Sequence, residues 1–232
     1  MRFEWRSEGP ADQCGQQCRS WIAASGVITE STARDFERFA KDNEVRGATL
    51  VLDSEGGSVL AALALGRAIR NFDMTTTVGK TTLLPPDKNG VQRAILSAKA
   101  TCESMCAFIL LGGTRRYVPA DARVQVHMIW LGSKSRRALE ASYSAEELSL
   151  VQRDLGKLAR YTIEMGGSIE LIEAALQVPP WEPMLTLSPD ELRRMRITTV
   201  DNLFEPEIPT ASLPATSSGP MTTSAQAQRI GN

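Results

Sequence analysis

Three short segments of the chain carry the residue types that nucleophilic catalysis uses. Ser104 lies in a Cys-Glu-Ser-Met-Cys run, His127 is the only histidine, and a Gly-Gly turn occupies residues 54–58. Serine is a weak nucleophile at neutral pH, and histidine is the usual base that activates it. Backbone N–H groups at a glycine turn can hold the oxyanion that forms during acyl transfer. The three segments therefore predict one mechanism if the fold brings them together.

Each segment also has a purely structural interpretation. Ser104 could be an ordinary N-cap of a helix, and His127 alone is more typical of a structural or surface histidine. The turn at 54–58 alone favours an ordinary strand-to-helix connection. It has neither the G-x-G-x-x-G pattern nor the lysine of a phosphate-binding loop, so the sequence does not predict nucleotide binding.

Composition narrows the function classes further. The chain has 232 residues, 42% of them hydrophobic, which suits one large domain or two small ones with a substantial core. A net charge of −1 gives no indication of a nucleic-acid partner or an anionic membrane surface. No apolar run approaches the length of about 18 residues that a bilayer requires, so no transmembrane segment is expected.

The four cysteines form two pairs with the same C-x3-C spacing, Cys14 with Cys18 and Cys102 with Cys106. A zinc site is weakly indicated, because structural zinc sites prefer the C-x2-C spacing. Disulfides, either within each pair or between them, would fit an oxidising compartment. Reduced and partly buried thiols are the alternative, and the pairing stays open at this point.

Hydrophobic periodicity predicts alternating strands and helices, and therefore an α/β fold. We expect an irregular, cysteine-containing lead-in over residues 1–20, a single domain over 21–205, and a disordered tail over 206–232, where large apolar residues are few. A buried strand over 48–52 leads into the Gly-Gly turn and a helix over 59–72. The turn therefore lies at the carboxyl end of a strand, where α/β folds commonly bind ligands.

Two capping boxes predict helix starts in the second half of the chain. Ser144 with Glu147 opens a helix whose apolar residues recur with alternating spacings of three and four up to residue 165. Ser188 with Glu191 opens a short helix near the end of the domain. His127 is expected on or just beyond a strand in the segment 123–130.

Taken in order, the motifs resemble those of the proteolytic subunit of Clp protease. The resemblance rests on residues 52–58, 104–108, 117–119, 123–127 and 187–191. The Cys-x-Ser-x-Cys context and the run over 111–119 are most similar to bacterial Clp-protease-like periplasmic proteins. The resemblance implies the ClpP/crotonase fold, a spiral of β-β-α units, with the helix over 148–165 as the long association helix.

The resemblance also implies residue roles. Ser104 would be the nucleophile and His127 the general base. The N–H groups of Gly57 and Met105 would form the oxyanion hole, and Gly56 would permit the turn. The implied function is that of a serine hydrolase, most specifically a peptidase, which acts on a peptide or protein and needs no metal or organic cofactor.

Assembly and location follow from the same resemblance. The family forms rings, so a homo-oligomer is implied. The charged start of the sequence has no apolar core like that of a signal peptide. A leader missing from this sequence would place the protein in the periplasm or cell envelope, and a complete sequence would place it in the cytoplasm.

The sequence departs from the family at the third catalytic position. Met184 stands where the family has the aspartate that orients the histidine, and a thioether cannot accept the imidazole N–H. Asp53, Glu182 and Asp190 are candidate substitutes, and the sequence gives no reason to choose among them. Two other functions therefore stay open, a catalytically degenerate interaction module of the same fold and a crotonase-type acyl-CoA enzyme.

Overall fold

The computed structural model describes residues 1–15, 18–131, 140 and 142–203. The predicted disordered tail over 206–232 lies outside the described residues. The elements, in chain order, are β1 (Arg2–Ser7), α1 (Ala11–Cys14), β2 (Ser20–Ser25), α2 (Thr32–Asp42), β3 (Thr49–Asp53), α3 (Val59–Asn71), β4 (Thr75–Val78), β5 (Lys80–Leu83), β6 (Ala94–Ser97), β7 (Thr101–Glu103), α4 (Met105–Leu110), β8 (Arg115–Tyr117), β9 (Arg123–Val126), α5 (Ala145–Glu164), α6 (Glu170–Leu176), β10 (Leu185–Thr186) and α7 (Pro189–Arg194).

The largest sheet has five strands in the order β1-β2-β3-β4-β8. The pairs from β2 to β8 are parallel, and β1 adds to the edge in antiparallel orientation. Helices α2 and α3 connect successive parallel strands, which is the usual solution for a sheet whose central strands are apolar. The predicted α/β class is therefore confirmed.

The expectation of an irregular lead-in over 1–20 is wrong for its first part. Arg2–Ser7 form β1, which pairs with β2 in a register that runs from Arg2 opposite Ser25 to Ser7 opposite Ser20. Charged and aromatic residues alternate in this segment, a two-residue period that suits an edge strand with one face on the core. The Phe3 ring accordingly packs edge-on against the buried Phe36 ring, with centroids 5.2 Å apart.

A second sheet, with strand order β10-β9-β7, meets the first at the end of β3. Immediately after β3, Ser54 forms an isolated parallel bridge with Cys102 of β7. Its N–H donates to the Thr101 carbonyl at 3.0 Å, and its carbonyl accepts from the Glu103 N–H at 2.9 Å. Strand β7 is thereby held between the end of β3 on one side and β9 on the other.

Helix α4 lies in the centre of the molecule, and all its residues are buried. The buried hydroxyl of Tyr161 in α5 donates to the Phe108 carbonyl of α4 at 3.0 Å. Gly66 of α3 leaves room for that hydroxyl, because a Cβ at this position would overlap it. The three helices are therefore locked together at one point.

The predicted capping boxes are confirmed at Ser144 with Glu147 and at Ser188 with Glu191. The first begins α5, which is 20 residues long. Within the described residues, no helix combines the length and the apolar character needed to cross a bilayer.

Two arginines hold the loop that follows α4. Arg116 is 5% exposed, and its guanidinium donates to the carbonyls of Leu111 at 3.3 Å, Gly113 at 3.1 Å and Met165 at 3.2 Å. Arg70 donates to the Leu111 carbonyl as well, at 2.8 Å. Burial lowers the pKa of Arg116 to about 10, which leaves the group charged at neutral pH. Arg70 also donates to the carbonyls of Gly113 and Met165, each at 3.1 Å, so the two guanidiniums together satisfy the same three carbonyls.

We expect Arg116→Met to lower the free energy of unfolding by about 2–4 kcal/mol, because the loop loses a buried guanidinium and the Arg196 carbonyl loses its donor. Arg153→Met is the matched control, since Arg153 is exposed on α5 and should change stability by no more than about 0.5 kcal/mol. Urea unfolding followed by circular dichroism measures both values. Equal midpoints for the two variants would contradict this account of the loop.

Candidate active site

Ser104 connects β7 directly to α4 and has an unusual backbone conformation. Its φ is 53° and its ψ is −118°, a combination that costs a non-glycine residue about 1–3 kcal/mol. It occupies the N-cap position, but its hydroxyl makes no capping hydrogen bond. Helix capping therefore does not explain why a serine occupies this position. A sharp strand-to-helix turn of this kind exposes the serine hydroxyl in unrelated hydrolases.

The Gly-Gly turn lies against Ser104. Gly56 has a φ of 85°, and a Cβ at this position would come within 2.8 Å of the Ser104 Cβ and 3.2 Å of the Met105 nitrogen. Gly57 has a φ of 140°, and a Cβ there would overlap the Ile28 carbonyl. Glycine is therefore required at both positions, by backbone conformation and by close approach.

Two backbone N–H groups near Ser104 lack partners within the described part of the chain. The bridge between Ile28 and Gly57 uses the Gly56 carbonyl and the Ser58 N–H, so the N–H of Gly57 itself points to the other side. Met105 is the first residue of α4, and the N–H at that position has no intrahelical acceptor. The two groups predicted to form an oxyanion hole are therefore available as donors.

His127 follows β9 and lines the same cavity as Ser104 and Met105. The volume of this cavity is about 10 Å³, and apolar side chains of α4, α5 and α6 form its remaining walls. Burial lowers the pKa of His127, and the Met128 backbone and the Glu103 carboxylate partly oppose this effect. Burial therefore favours the neutral imidazole, which is the form that a general base requires.

The structure does not form a hydrogen bond between Ser104 Oγ and His127. The serine and histidine predicted from the sequence thus share a cavity but are not in bonding contact, and catalytic hydrogen bonds are often long before substrate binds. None of the three predicted substitutes for the aspartate lines this cavity. Met184, at the family's aspartate position, is half-buried and does not line it either.

The three predicted substitutes for the family's aspartate lie away from this cavity. Asp53 accepts a hydrogen bond from the Thr101 N–H at 3.4 Å and faces a separate surface depression with Lys80. Glu182 is exposed, and the Asp190 side chain is 93% exposed and pairs with Arg193 at 3.6 Å. The carboxylate that sequence reasoning missed is Glu103, which is a charged neighbour of His127. In the sequence, its position next to Ser104 is the signal that could have identified it.

The cysteines form two local disulfides, Cys14 with Cys18 and Cys102 with Cys106. The second joins the end of β7 to the first turn of α4, and both of its cysteines are fully buried. It therefore closes a short loop whose central residue is Ser104. Within the described residues, no group of three His, Cys, Asp or Glu side chains lies together as a metal-ligand set.

The chain matches no protein-family model, and no curated protein matches it significantly.

We expect Gly56→Ala to slow the reaction of Ser104 with a fluorophosphonate by about a hundredfold, because a shift of about 1 Å at a reacting group is enough for that loss. Gly26→Ala is the matched control, since Gly26 has a similar φ of 91° but nothing within 4 Å of an added Cβ. Gly26→Ala should lower the free energy of unfolding without changing the labelling rate. The labelling rate is measured by mass spectrometry, and equal rates for both variants would count against the packing described for Gly56.

We expect loss of the Cys102–Cys106 disulfide to slow the labelling of Ser104 by about tenfold, because the backbone can then relax from a conformation that costs about 1–3 kcal/mol. The variant is Cys102→Ala with Cys106→Ala. Cys14→Ala with Cys18→Ala removes the other disulfide and should leave the labelling rate unchanged. A similar loss in both double variants would indicate general destabilisation instead of a local effect.

Proposed function

We propose that the protein is a serine hydrolase, most specifically a peptidase of the ClpP-like type, with Ser104 as nucleophile and His127 as general base. The backbone of Ser104 is the observation that carries this proposal. Ser104 has a φ of 53° and a ψ of −118°, which is a costly conformation for a non-glycine residue, and its hydroxyl makes no capping bond. Strain of this kind concentrates at functional sites.

The neighbouring groups supply the remaining parts of an acyl-transfer mechanism. The neutral His127 takes the proton of the Ser104 hydroxyl as its oxygen attacks the substrate carbonyl carbon. The N–H groups of Gly57 and Met105 stabilise the negative charge on the carbonyl oxygen. His127 then gives its proton to the leaving amine, and water releases the acyl group by the same steps in reverse.

The size of the cavity adds a condition to this mechanism. A volume of about 10 Å³ is that of a single water molecule, and a peptide needs more room. Substrate binding must therefore widen the space between Ser104 and the apolar residues of α5 and α6.

We also propose the ClpP/crotonase-like arrangement for the fold. The order of the motifs along the chain supports it, as do the parallel strands that alternate with helices and the second sheet that meets the first at Ser54. The length of α5 supports a role in association with further copies, because Leu148 and Ile163 on its surface are 49% and 65% exposed. The local disulfides support an oxidising compartment such as the periplasm.

The second candidate function is an interaction module that keeps the fold without turnover. Met184 in the place of the aspartate and the missing bond between Ser104 and His127 favour it. A crotonase-type acyl-CoA enzyme is a third candidate, because the paired amides near Gly57 suit a thioester oxyanion. Bound acyl-CoA at the Gly-Gly turn would favour that function.

We expect a fluorophosphonate to label the protein at Ser104, and Ser104→Ala to abolish the labelling. His127→Gln should slow labelling by about 10²–10⁴-fold, the usual contribution of a general base. Ser58→Ala is the matched control, because Ser58 lies in the same turn region but caps α3 through the Ala61 N–H at 3.4 Å. Labelling that persists in Ser104→Ala would rule out the hydrolase, and no labelling of the unchanged protein would favour the interaction module.

A further inference from the structure

Glu103 is the residue immediately before Ser104 and the last residue of β7. In the parallel pairing of β7 with β9, Glu103 stands opposite Gln125. The Ser104 N–H continues this pairing by donating to the Gln125 carbonyl at 2.7 Å. The register therefore fixes Glu103 beside the segment that leads to His127, two positions beyond Gln125.

Burial alternates along this segment. Val124 and Val126 are buried, whereas Gln125 is half-buried and lies on the opposite face of β9. His127 is half-buried and follows the end of this strand. Cys102 is buried and Glu103 is half-buried, which puts Glu103 on the face of Gln125. Strand spacing and residue rise put the α-carbons of Glu103 and His127 roughly 8 Å apart, and Glu103 acts on His127 through its charge without a hydrogen bond between the two side chains.

The other walls around His127 carry no charge in the part of the chain that the structure describes. Helices α4, α5 and α6 present apolar residues to the cavity, and the His127 ring meets the edge of the Trp130 ring at 6.2 Å. The described residues that line the cavity are Ser104, Met105, Phe108, His127, Met128, Ile129, Leu155, Leu158, Ile172, Ala175 and Leu176. On the side of β7, Glu103 contributes the charge.

We infer that Glu103, on the strand that adjoins the segment leading to His127, is the carboxylate that stabilises the protonated form of His127. The catalytic meaning of this inference rests on the proposed function. When His127 takes the proton of the Ser104 hydroxyl, the imidazole becomes positive, and the Glu103 carboxylate on the adjoining strand partly balances that charge. The carboxylate itself takes no proton, as in other serine hydrolases. The methionine at position 184 is then no obstacle, because the acid comes from the strand that also carries the nucleophile.

The electrostatics of the site agree with this geometry. Burial lowers the pKa of His127, and Glu103 acts in the opposite direction by raising it. Removal of the Glu103 charge should therefore lower the pKa of His127 further. If Glu103 had only a structural role, a substitution that keeps its shape would leave the pKa of His127 unchanged.

The chain has a single histidine, so its NMR signals report His127 without assignment. We propose to titrate the untagged full chain, labelled with ¹⁵N-histidine, as unchanged protein and as Glu103→Gln. The pKa of His127 in the unchanged protein should lie below its usual range. It should fall by a further half unit or more, roughly, in Glu103→Gln, which keeps the side-chain shape and removes the charge. Glu103→Asp, which keeps the charge on a shorter side chain, should fall less.

Glu182→Gln and Asp190→Asn are matched controls, because their carboxylates lie away from the cavity, and neither should change the pKa of His127. An unchanged value in Glu103→Gln, or a fall confined to one of these controls, would overturn the inference. The acid limb of the pH profile of labelling should move to lower pH together with the NMR value. Because the titration needs no turnover, a protein that shows the pKa shift but no labelling would contradict the hydrolase proposal and leave the Glu103–His127 pair intact.

Discussion

Strand β7 is the element on which the geometry of the candidate site depends, because it is paired on both sides. On one side Ser54, at the end of β3, bonds to it through both its N–H and its carbonyl. On the other side β9 pairs with it in parallel. The Gly-Gly turn that follows Ser54 and the His127 that follows β9 therefore lie on either side of Ser104, the residue that follows β7. A strand of three residues thus sets the relative position of all the groups in the proposed mechanism.

Hydrogen bonding distinguishes the serines that surround this site. The Ser54 hydroxyl donates to the Gly26 carbonyl at 2.7 Å and accepts from the Gly56 N–H at 3.2 Å, so both of its roles are used within the turn. Ser58 caps α3. Ser104 caps nothing, although it occupies an N-cap position. In the sequence these serines are similar polar residues near a glycine or a helix start. The structure distinguishes two whose hydroxyls are bonded within the turn or to the helix from one whose hydroxyl makes no capping bond.

The features that could be predicted from the sequence are those that depend on local patterns. The capping boxes at Ser144 and Ser188, the helix after the Gly-Gly turn and the alternation of strands with helices are encoded within short windows. The shared cavity of Ser104 and His127 was expected from motif order alone, through a family resemblance. Their local sequence could not have indicated it, since the two residues meet only after β7 pairs with β9.

The parts that the sequence did not predict depend on distant pairing. Arg2–Ser7 have the two-residue alternation of a strand, but their charges favoured the prediction of an irregular lead-in. They form a strand because β2 pairs with them. The position of Glu103 likewise depends on pairing between strands that are distant in the sequence. Beside Ser104 in the sequence it resembles an ordinary surface charge, and only the register with Gln125 brings it to the histidine. Candidates chosen from the sequence by analogy with a family position, such as Glu182, point to solvent instead.

The arginine pair behind α4 has an electrostatic consequence at the far end of that helix. Arg70 and Arg116 are bonded to carbonyls just beyond its carboxyl end, and Ser104 stands at its amino end. The helix has six residues and is about 9 Å long, and every residue between the two ends is buried, so little water screens the two positive charges. The side chains that secure the loop therefore also raise the electrostatic potential at the serine, which favours any negative charge that develops there.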